Sequence, residues 1–436
     1  MSLYDKASLV QIPSGYKGGS PNGTLYSVLP ANGDGDFTHT RATSATRVNK
    51  DGLIESVASG VPRLDYPLID GVVQDCPALL LEPSRYNNLQ RSEEFDNAYW
   101  NKSLVSVTPN DGVSPDGSVT ADKIVSGNST GAHFFRRTGL NFSASTFTFS
   151  IFAKFTDDLF EQFHFVIYDG SNHFAYFDVK NGVVGSADAG FTTSMVNYGN
   201  GWYRCIASYQ TAAAAGIGQI KVELGDSTSE TGDGTSGMLF WGIQWELGSH
   251  ETSYIPTTSA TVTRNADVCN GAGTSAEFND SEGVLFLETA ILSDDGTEKT
   301  INLYNSSNAG NRLSINYRVD VGRIQMFLNY TGATATNISI YDIDKEQIAK
   351  LAFKYKNNDM AIWYNGFELV TDVLGTTSTS IGFDTIEFER SGGSYFYGNT
   401  KQLMVFNEAL TDSELEQITS WTSFSEMAKG QLYTIE

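Results

Sequence analysis

Residues 146–155 read "TFTFSIFAKF". Phe147, Phe149, Ile151, Ala153 and Phe155 fall on one side of an extended chain; Thr146, Thr148, Ser150 and Lys154 fall on the other. Alternation at period two is the mark of a half-buried strand. "FHFVIY" (163–168) repeats it through Phe163, Phe165 and Ile167. "HFAYFDV" (173–179), "WYRCIASY" (202–209), "IGQIKVEL" (217–224) and "MLFWGIQWEL" (238–247) follow at short intervals, parted by Gly, Asn and Asp. Short strands at this spacing, broken by turn formers, predict an antiparallel sandwich or jelly roll over residues 91–267.

A second all-β block is expected over residues 275–424. Its strands are "GVLFLETAIL" (283–292), "RLSINYRV" (312–319), "RIQMFLNY" (323–330), "IAKLAFKY" (348–355), "MAIWYNGFELV" (360–370) and "QLMVFN" (402–407). Asn365-Gly366 between Tyr364 and Phe367 suits a type I′ hairpin turn. Thr411 with Glu414 reads as a capping box opening a short helix, which Leu415 and Ile418 would seat on a sheet. Residues 425–436 are left as a tail.

The first 90 residues differ. "PSGYKGGSPNG" (13–23) and "PANGDGD" (30–36) are dense in turn formers. Asp51-Gly52, between "TRV" and "LIE", suits a hairpin. Periodic apolar sequence is too sparse here for a large core, so residues 1–90 are expected to form an extended arm lying on other subunits or partners. "DFTHTRATSATRVN" and "SYIPTTSATVTRNAD" share a Thr-Ser-Ala-Thr core followed by Arg and Asn. They are either related edge segments or convergent Ser/Thr-rich chain.

The chain has 436 residues, 28 Lys plus Arg and 51 Asp plus Glu, hence a net charge of −23. That charge opposes sequence-independent binding to nucleic acid and to anionic membrane surfaces. No apolar run has the length of a membrane span, and the N-terminus shows no basic stretch followed by an apolar core. Cys76, Cys205 and Cys269 are odd in number and widely spaced, which points to reduced thiols rather than a disulfide framework or a zinc site.

Few residues offer chemistry. Glu387 and Glu389 in "FDTIEFERSG" share a strand face beside Asp384, and a retaining glycosidase needs two carboxylates about 5 Å apart; a solvated strand face is the expectation. His164 and His173 straddle a turn and are expected as a surface pair. "NGDGD" (32–36) offers oxygens to Ca²⁺ but lacks the full EF-hand loop, and an acidic turn is the expectation. No catalytic residue, metal site or cofactor is therefore expected. The aromatic residues Trp202, Tyr203, Trp241, Trp245 and Tyr254 are expected mainly as core, with Trp241, Ile243 and Trp245 alternating onto one face. As sugar-stacking residues the candidates are Trp245 and the loop residues Tyr395, Phe396 and Tyr397.

Residues from "SLVQIPSGYKGG" through "GDFTHTRATSATRVNKDGLIESV" to "CPALLLEPSRYNNLQRSEEFDNAYWNK" resemble the N-terminal region of a family of phage virion proteins described as tail or head fibres or spikes. From "DNAYWNK" through "GWYRCIASYQ" to "WGIQWELGSHETSYIPTTSATVTRNAD" the chain resembles a carbohydrate-binding-module-like jelly roll. "IAKLAFKYKNNDMAIWYNGFEL" and "LMVFNEALTDSEL" are similar to concanavalin A-like (laminin-G-like) lectin sandwiches. The resemblance implies a non-enzymatic virion component made in the host cytoplasm. It would be fixed to capsid or tail proteins through residues 1–90, commonly as a homotrimer, and would display two β-sandwiches that bind host-surface polysaccharide. Calcium at a jelly-roll rim comes from the same analogy. A glycan-binding or glycan-degrading protein, and a capsid-decorating protein that binds no receptor, are the alternatives.

Overall fold

The computed structural model describes residues 3–13, 23–156, 159–390 and 393–431. Most of the turn expected at 13–23 and the last five residues of the tail lie outside them. The fold is all-β, built on two sandwiches.

In the first sandwich two six-stranded antiparallel sheets face each other. One runs, in spatial order, Asn101–Ser103, Phe134–Phe142, Ala214–Leu224, Gln162–Tyr168, Asn172–Asp178, Val183–Ala187. The other runs Val105–Gly112, Ala121–Ser126, Gly237–Leu247, Thr146–Phe155, Trp202–Gln210, Phe191–Gly199. Phe135, Phe149, Phe163, Phe165, Phe177, Ile220, Val222, Phe240 and Trp245 fill the space between them.

The strand Thr146–Phe155 is buried on both faces, not one. Phe152 points away from the inter-sheet core into a second cluster with Trp202, Trp241 and Tyr254. The 253–257 segment covers that face: Ile255 N–H and the Gln244 side chain bond at 2.6 Å. Trp241 does not share a face with Ile243 and Trp245. Gly242 has φ +63° and the ladder to Thr146–Phe155 shifts register there. This bulge inserts one residue and reverses the side on which those following it point.

The second sandwich packs a five-stranded sheet against an eight-stranded one. Its core includes Ile301, Leu303, Leu313, Ile315, Met326, Leu351, Phe353, Ile362 and Leu403. Asn365 and Gly366 both take positive φ, and Tyr364 pairs with Phe367 as the hairpin turn requires. The helix Asp412–Thr419 carries the capping box of Thr411 and Glu414, buries Leu415, and packs Ile418 on the outer side of the eight-stranded sheet.

The N-terminal region corrects the expectation of an arm. Leu9–Gln11 pairs with Gly398–Phe406, and Ala78–Leu81 pairs with the same strand and with Arg63–Asp65, so these residues widen the eight-stranded sheet. Leu9, Leu25, Phe37, Leu79 and Leu81 belong to the second core. The Asp51-Gly52 hairpin joins Ala45–Val48 to Ile54–Val57. The strands are two to four residues long, and several, such as Leu9–Gln11 and Ala78–Leu81, pair with a partner remote in sequence, so local periodicity does not register them.

The two Thr-Ser-Ala-Thr segments meet around a buried ionic hub. Asp267 accepts from Arg41 (2.8 Å), the Glu82 N–H (3.0 Å) and Arg63, with His39 Nε2 at 3.2 Å. Glu82 accepts from Arg63 and Arg264 (2.5 Å each) and from the Ser253 hydroxyl and N–H (2.7 Å each). Burial pushes Glu82 up, but Arg264, Arg63 and Ser253 hold it down at about 2. Against its burial, Arg63, His39 and Arg41 hold Asp267 well below the usual carboxylate range. The hub binds residues 39–82 to residues 253–267, so the N-terminal region is stapled to this chain's own core.

All three cysteines are unpaired, with Cys205 and Cys269 buried and Cys76 exposed. Among the described residues no helix is long and apolar enough to cross a membrane.

Candidate functional site

The sheet containing Phe134–Phe142, Ala214–Leu224, Gln162–Tyr168 and Asn172–Asp178 buries one face in the first core. Phe135, Val222, Phe165 and Phe177 point inward. Their neighbours must point outward, because successive side chains alternate. The antiparallel register aligns these outward residues in two rows. One row is Phe134, Glu223, His164 and Tyr176; the other is Arg136, Lys221, Val166 and Phe174.

The rows form one layered surface. Lys221 Nζ lies 4.9 Å from the Phe134 ring centroid, and Arg136 Cζ lies 5.1 Å from it, so two cations share one aromatic ring. Such cation–π contacts hold the cationic heads near the ring. The Phe174 and Tyr176 rings stack at 18° and 6.3 Å, and Tyr176 lies 4.6 Å from His164. Phe134, Arg136, Phe174, Tyr176 and Lys221 are half-buried, leaving rings and cations at the surface.

Beneath them lie two fully buried groups, His164 and Glu223. His164 Nδ1 donates to the Gly225 carbonyl at 3.0 Å; a carbonyl only accepts, so Nδ1 carries the proton and Nε2 faces Glu223 Oε2 at 3.5 Å. Lys221 Nζ sits 2.5 Å from the same oxygen. Burial raises the Glu223 carboxyl, but His164 and Lys221 outweigh it and hold it below the ordinary value. An ionised Glu223 therefore fixes Lys221 from below. The phenol of Tyr176 is raised, by burial first and then by Asp188, Glu223 and Asp226, so it stays a neutral hydroxyl. Flat half-exposed rings beside two fixed cations can stack a pyranose ring and pair with an anionic substituent.

The residues singled out from sequence lie elsewhere and do not converge. Trp245 is 4% exposed and packs between Phe142, Phe147 and Phe149 at the end of the first sandwich. Tyr395 is 36% exposed and stacks on Tyr397 at 5.8 Å, on the second sandwich. Phe396, between them, points the other way: it is 1% exposed, against Tyr317 and Phe388, and faces no ligand. Ser391 and Gly392 of that loop lie outside the described residues.

Glu387 is not on a solvated face. It is buried, accepts from the Tyr304 hydroxyl at 3.0 Å, and is pushed up to about 7 by burial, with Tyr304 opposing and Glu389 adding. Glu389 is instead bonded by Asn270 (2.8 Å), and Asp384 caps the Ser306 backbone. His164 and His173 are not a surface pair. They occupy opposite faces of the sheet, His173 lying against Asp169 and Tyr209. In 32–36, Asn32 bonds Asp34 and Asp36 accepts from Ser27, so the turn uses its own oxygens. Among the described residues no three His, Cys, Asp or Glu side chains are grouped to hold a metal ion.

No family model matches the chain, and no curated protein matches it. Among solved structures it is similar to the carbohydrate-binding module (CBM40) of the Ruminococcus gnavus IT-sialidase, bound there to alpha2,3 sialyllactose. The identity is 15% and the TM-score 0.29, over 35% of this chain and 94% of the module. It is similar to the leech intramolecular trans-sialidase at 20% identity and TM-score 0.29, over 36% of this chain and 27% of that enzyme. It is also similar to domains LG4-5 of the mouse laminin alpha1 chain at 10% identity and TM-score 0.24, over 65% and 89%. Overlaps this loose establish neither a ligand nor an activity for the chain.

Proposed function

We propose that the chain is a glycan-binding component of a phage virion appendage, taking an acidic host-surface polysaccharide on the outer face of its first sandwich. The observation that carries the binding reading is Arg136 and Lys221 held against the Phe134 ring, beside the Phe174–Tyr176 stack. In a chain of net charge −23, a pair of cations held at an aromatic surface favours an anionic ligand over the general repulsion. The virion placement is supported by the resemblance of residues 1–100 to phage fibre and spike proteins, and a homotrimer by the same resemblance.

The test is a glycan array holding acidic and neutral bacterial polysaccharides, probed with the full chain and with Arg136→Ala. Binding to carboxylated or other acidic glycans, weakened by added salt and by the substitution, is the expected result. No binding to any acidic glycan sinks the receptor reading and leaves capsid decoration. Release of reducing ends from an array glycan supports the glycan-degrading alternative instead. A reconstruction of whole virions locates the chain; its absence from the particle sinks the virion reading.

A further inference from the structure

Apart from that face, the end of the first sandwich holds an open cleft of about 470 Å³. This lies within the range of small-molecule sites, about 300–1,000 Å³. Phe142, Phe147 and Trp245 form its aromatic wall, with Asn88, Asn141 and Ser143 among its polar groups. Tyr86 and Leu247 also line it, both exposed. None of these side chains carries a formal charge at neutral pH, in contrast to the sheet face.

The wall is rigid. The Trp245 ring meets Phe142 edge-on at 5.1 Å and lies parallel to Phe149 at 6.2 Å. Its backbone is held on both sides: Trp245 N–H donates to Asn87 Oδ1 at 3.2 Å, and its carbonyl accepts from Asn88 N–H at 2.9 Å. The polar groups are oriented as well. Asn88 Nδ2 donates to the Trp245 carbonyl at 3.1 Å, which leaves Oδ1 as an acceptor. Asn141 Oδ1 accepts from Gly216 N–H at 2.7 Å, which leaves Nδ2 as a donor. Ser143 Oγ donates to Ser145 Oγ at 3.1 Å and keeps its lone pairs. Finally, Trp245 Nε1 is a buried donor with no hydrogen-bond partner. A buried N–H without an acceptor is costly enough that most native ones are paired.

An aromatic wall and a fixed mixture of donors and acceptors complement one ring chemistry: a pyranose, apolar on its C–H face and hydroxylated at its edge. We propose that this cleft is a second glycan subsite, which takes a single uncharged sugar unit and works independently of the cationic sheet face.

The experiment uses the full chain labelled with 5-fluorotryptophan and observed by ¹⁹F NMR. The Trp245 resonance is assigned by its loss in Trp245→Phe, or by assigning the other five tryptophans if that variant does not fold. The probes are the methyl glycosides of glucose, galactose, mannose and N-acetylglucosamine. At least one is expected to shift the Trp245 resonance saturably. Asn141→Ala is expected to weaken that binding about tenfold, the equivalent of one lost hydrogen bond; Leu247→Asp, which sets a charge on the apolar rim, is expected to weaken it as well, and Lys221→Ala to leave it unchanged. If no glycoside moves the resonance, or if Asn141→Ala and Leu247→Asp bind as the parent does, the subsite is overturned. Weakening by Lys221→Ala instead assigns the sugar to the sheet face. Failure of the acidic-glycan reading leaves this result untouched, because no probe is charged.

Discussion

The molecule has two buried clusters of opposite charges, and they are built to different ends. In the hub of Arg41, Arg63, Glu82, Arg264 and Asp267, each of the four carboxylate oxygens has a partner, and the five side chains are almost wholly enclosed. On the sheet face, Glu223 is as deeply buried, yet only one of its oxygens meets a cation, Lys221, and Lys221 and Arg136 above it reach the surface. A buried charge needs pairing to offset its desolvation. The hub spends its cations inside the chain, on its own carboxylates and on backbone carbonyls such as those of Ala58, Thr46 and Pro83, whereas the face leaves two reaching the surface. The difference separates a staple from a site without reference to residue type, since both use Arg, Glu and His.

The largest effect should come from breaking the staple. Arg63→Ala strips a cation from both Glu82 and Asp267, and removal of one partner from a buried pair typically costs about 3–5 kcal/mol. Denaturant unfolding followed by tryptophan fluorescence measures it; a loss below about 1 kcal/mol would show the hub open to water. The hub also sets an acid limit. Both carboxyls titrate lower in the folded state than their ordinary values of 4.5 and 3.8. Their stabilisation is therefore complete above those values and is lost as the pH falls toward 2. Acid unfolding of the parent should begin below about pH 4.5, and earlier in Arg63→Ala.

The next effect belongs to the face. Arg136→Ala is expected to lower affinity for an acidic glycan about tenfold while changing stability by no more than about 0.5 kcal/mol, as for other surface substitutions. Titration calorimetry together with unfolding reads both. A large stability loss with unchanged affinity would make the face a second staple.

How much of this was legible depends on how local each signal is. The alternation in "TFTFSIFAKF" and "FHFVIY" lies within a single strand, and the β class follows from it. The Asn365-Gly366 turn and the Thr411 capping box are equally local, and both stand where expected. Leu9–Gln11 and Ala78–Leu81 escape the reading because their partner is Gly398–Phe406, at the other end of the chain. Trp241 is misplaced by a single bulge at Gly242, and the burial of the second face of Thr146–Phe155 escapes because its cover, around Tyr254, lies a hundred residues away in sequence. The sheet face escapes for a related reason. Phe134, Glu223, His164 and Tyr176 come from four strands and become one row only through register. A trace does exist: in "IKVEL" Lys221 and Glu223 sit at alternate positions beside the inward Ile220, Val222 and Leu224, which marks an outward row without saying which strands share it.

A further buried carboxyl sharpens the comparison. Glu387 has Tyr304 as hydrogen-bond donor but no cation, and it is pushed up to about 7, the reverse of Glu82. Its folded value lies above the ordinary 4.5, so it opposes folding where the unfolded chain ionises first. Stability should fall as pH rises from about 4.5 through 7 and then level off. Glu387→Gln keeps an acceptor for Tyr304 and removes the charge. The variant should match the parent at pH 4 and exceed it at pH 8 by on the order of 1 kcal/mol, since one pKa unit corresponds to about 1.4 kcal/mol. Equal stability at both pH values would mean that a cation or water already compensates Glu387.

The smallest effect tests the boundary between the two sandwiches. Tyr395 has the exposed aromatic ring that sequence alone favours as a sugar platform, and it stacks on Tyr397. It lacks what distinguishes the first sandwich's face: no arginine or lysine is seen over either of these rings among the described residues. Tyr395→Ala should therefore change stability by no more than about 0.5 kcal/mol, the usual range for an exposed substitution, and should leave binding to an acidic glycan intact. Loss of that binding in Tyr395→Ala but not in Arg136→Ala would move recognition to the second sandwich. Stacking would then outweigh charge in ligand choice, and the paired cations over Phe134 would need a structural explanation like that of the hub.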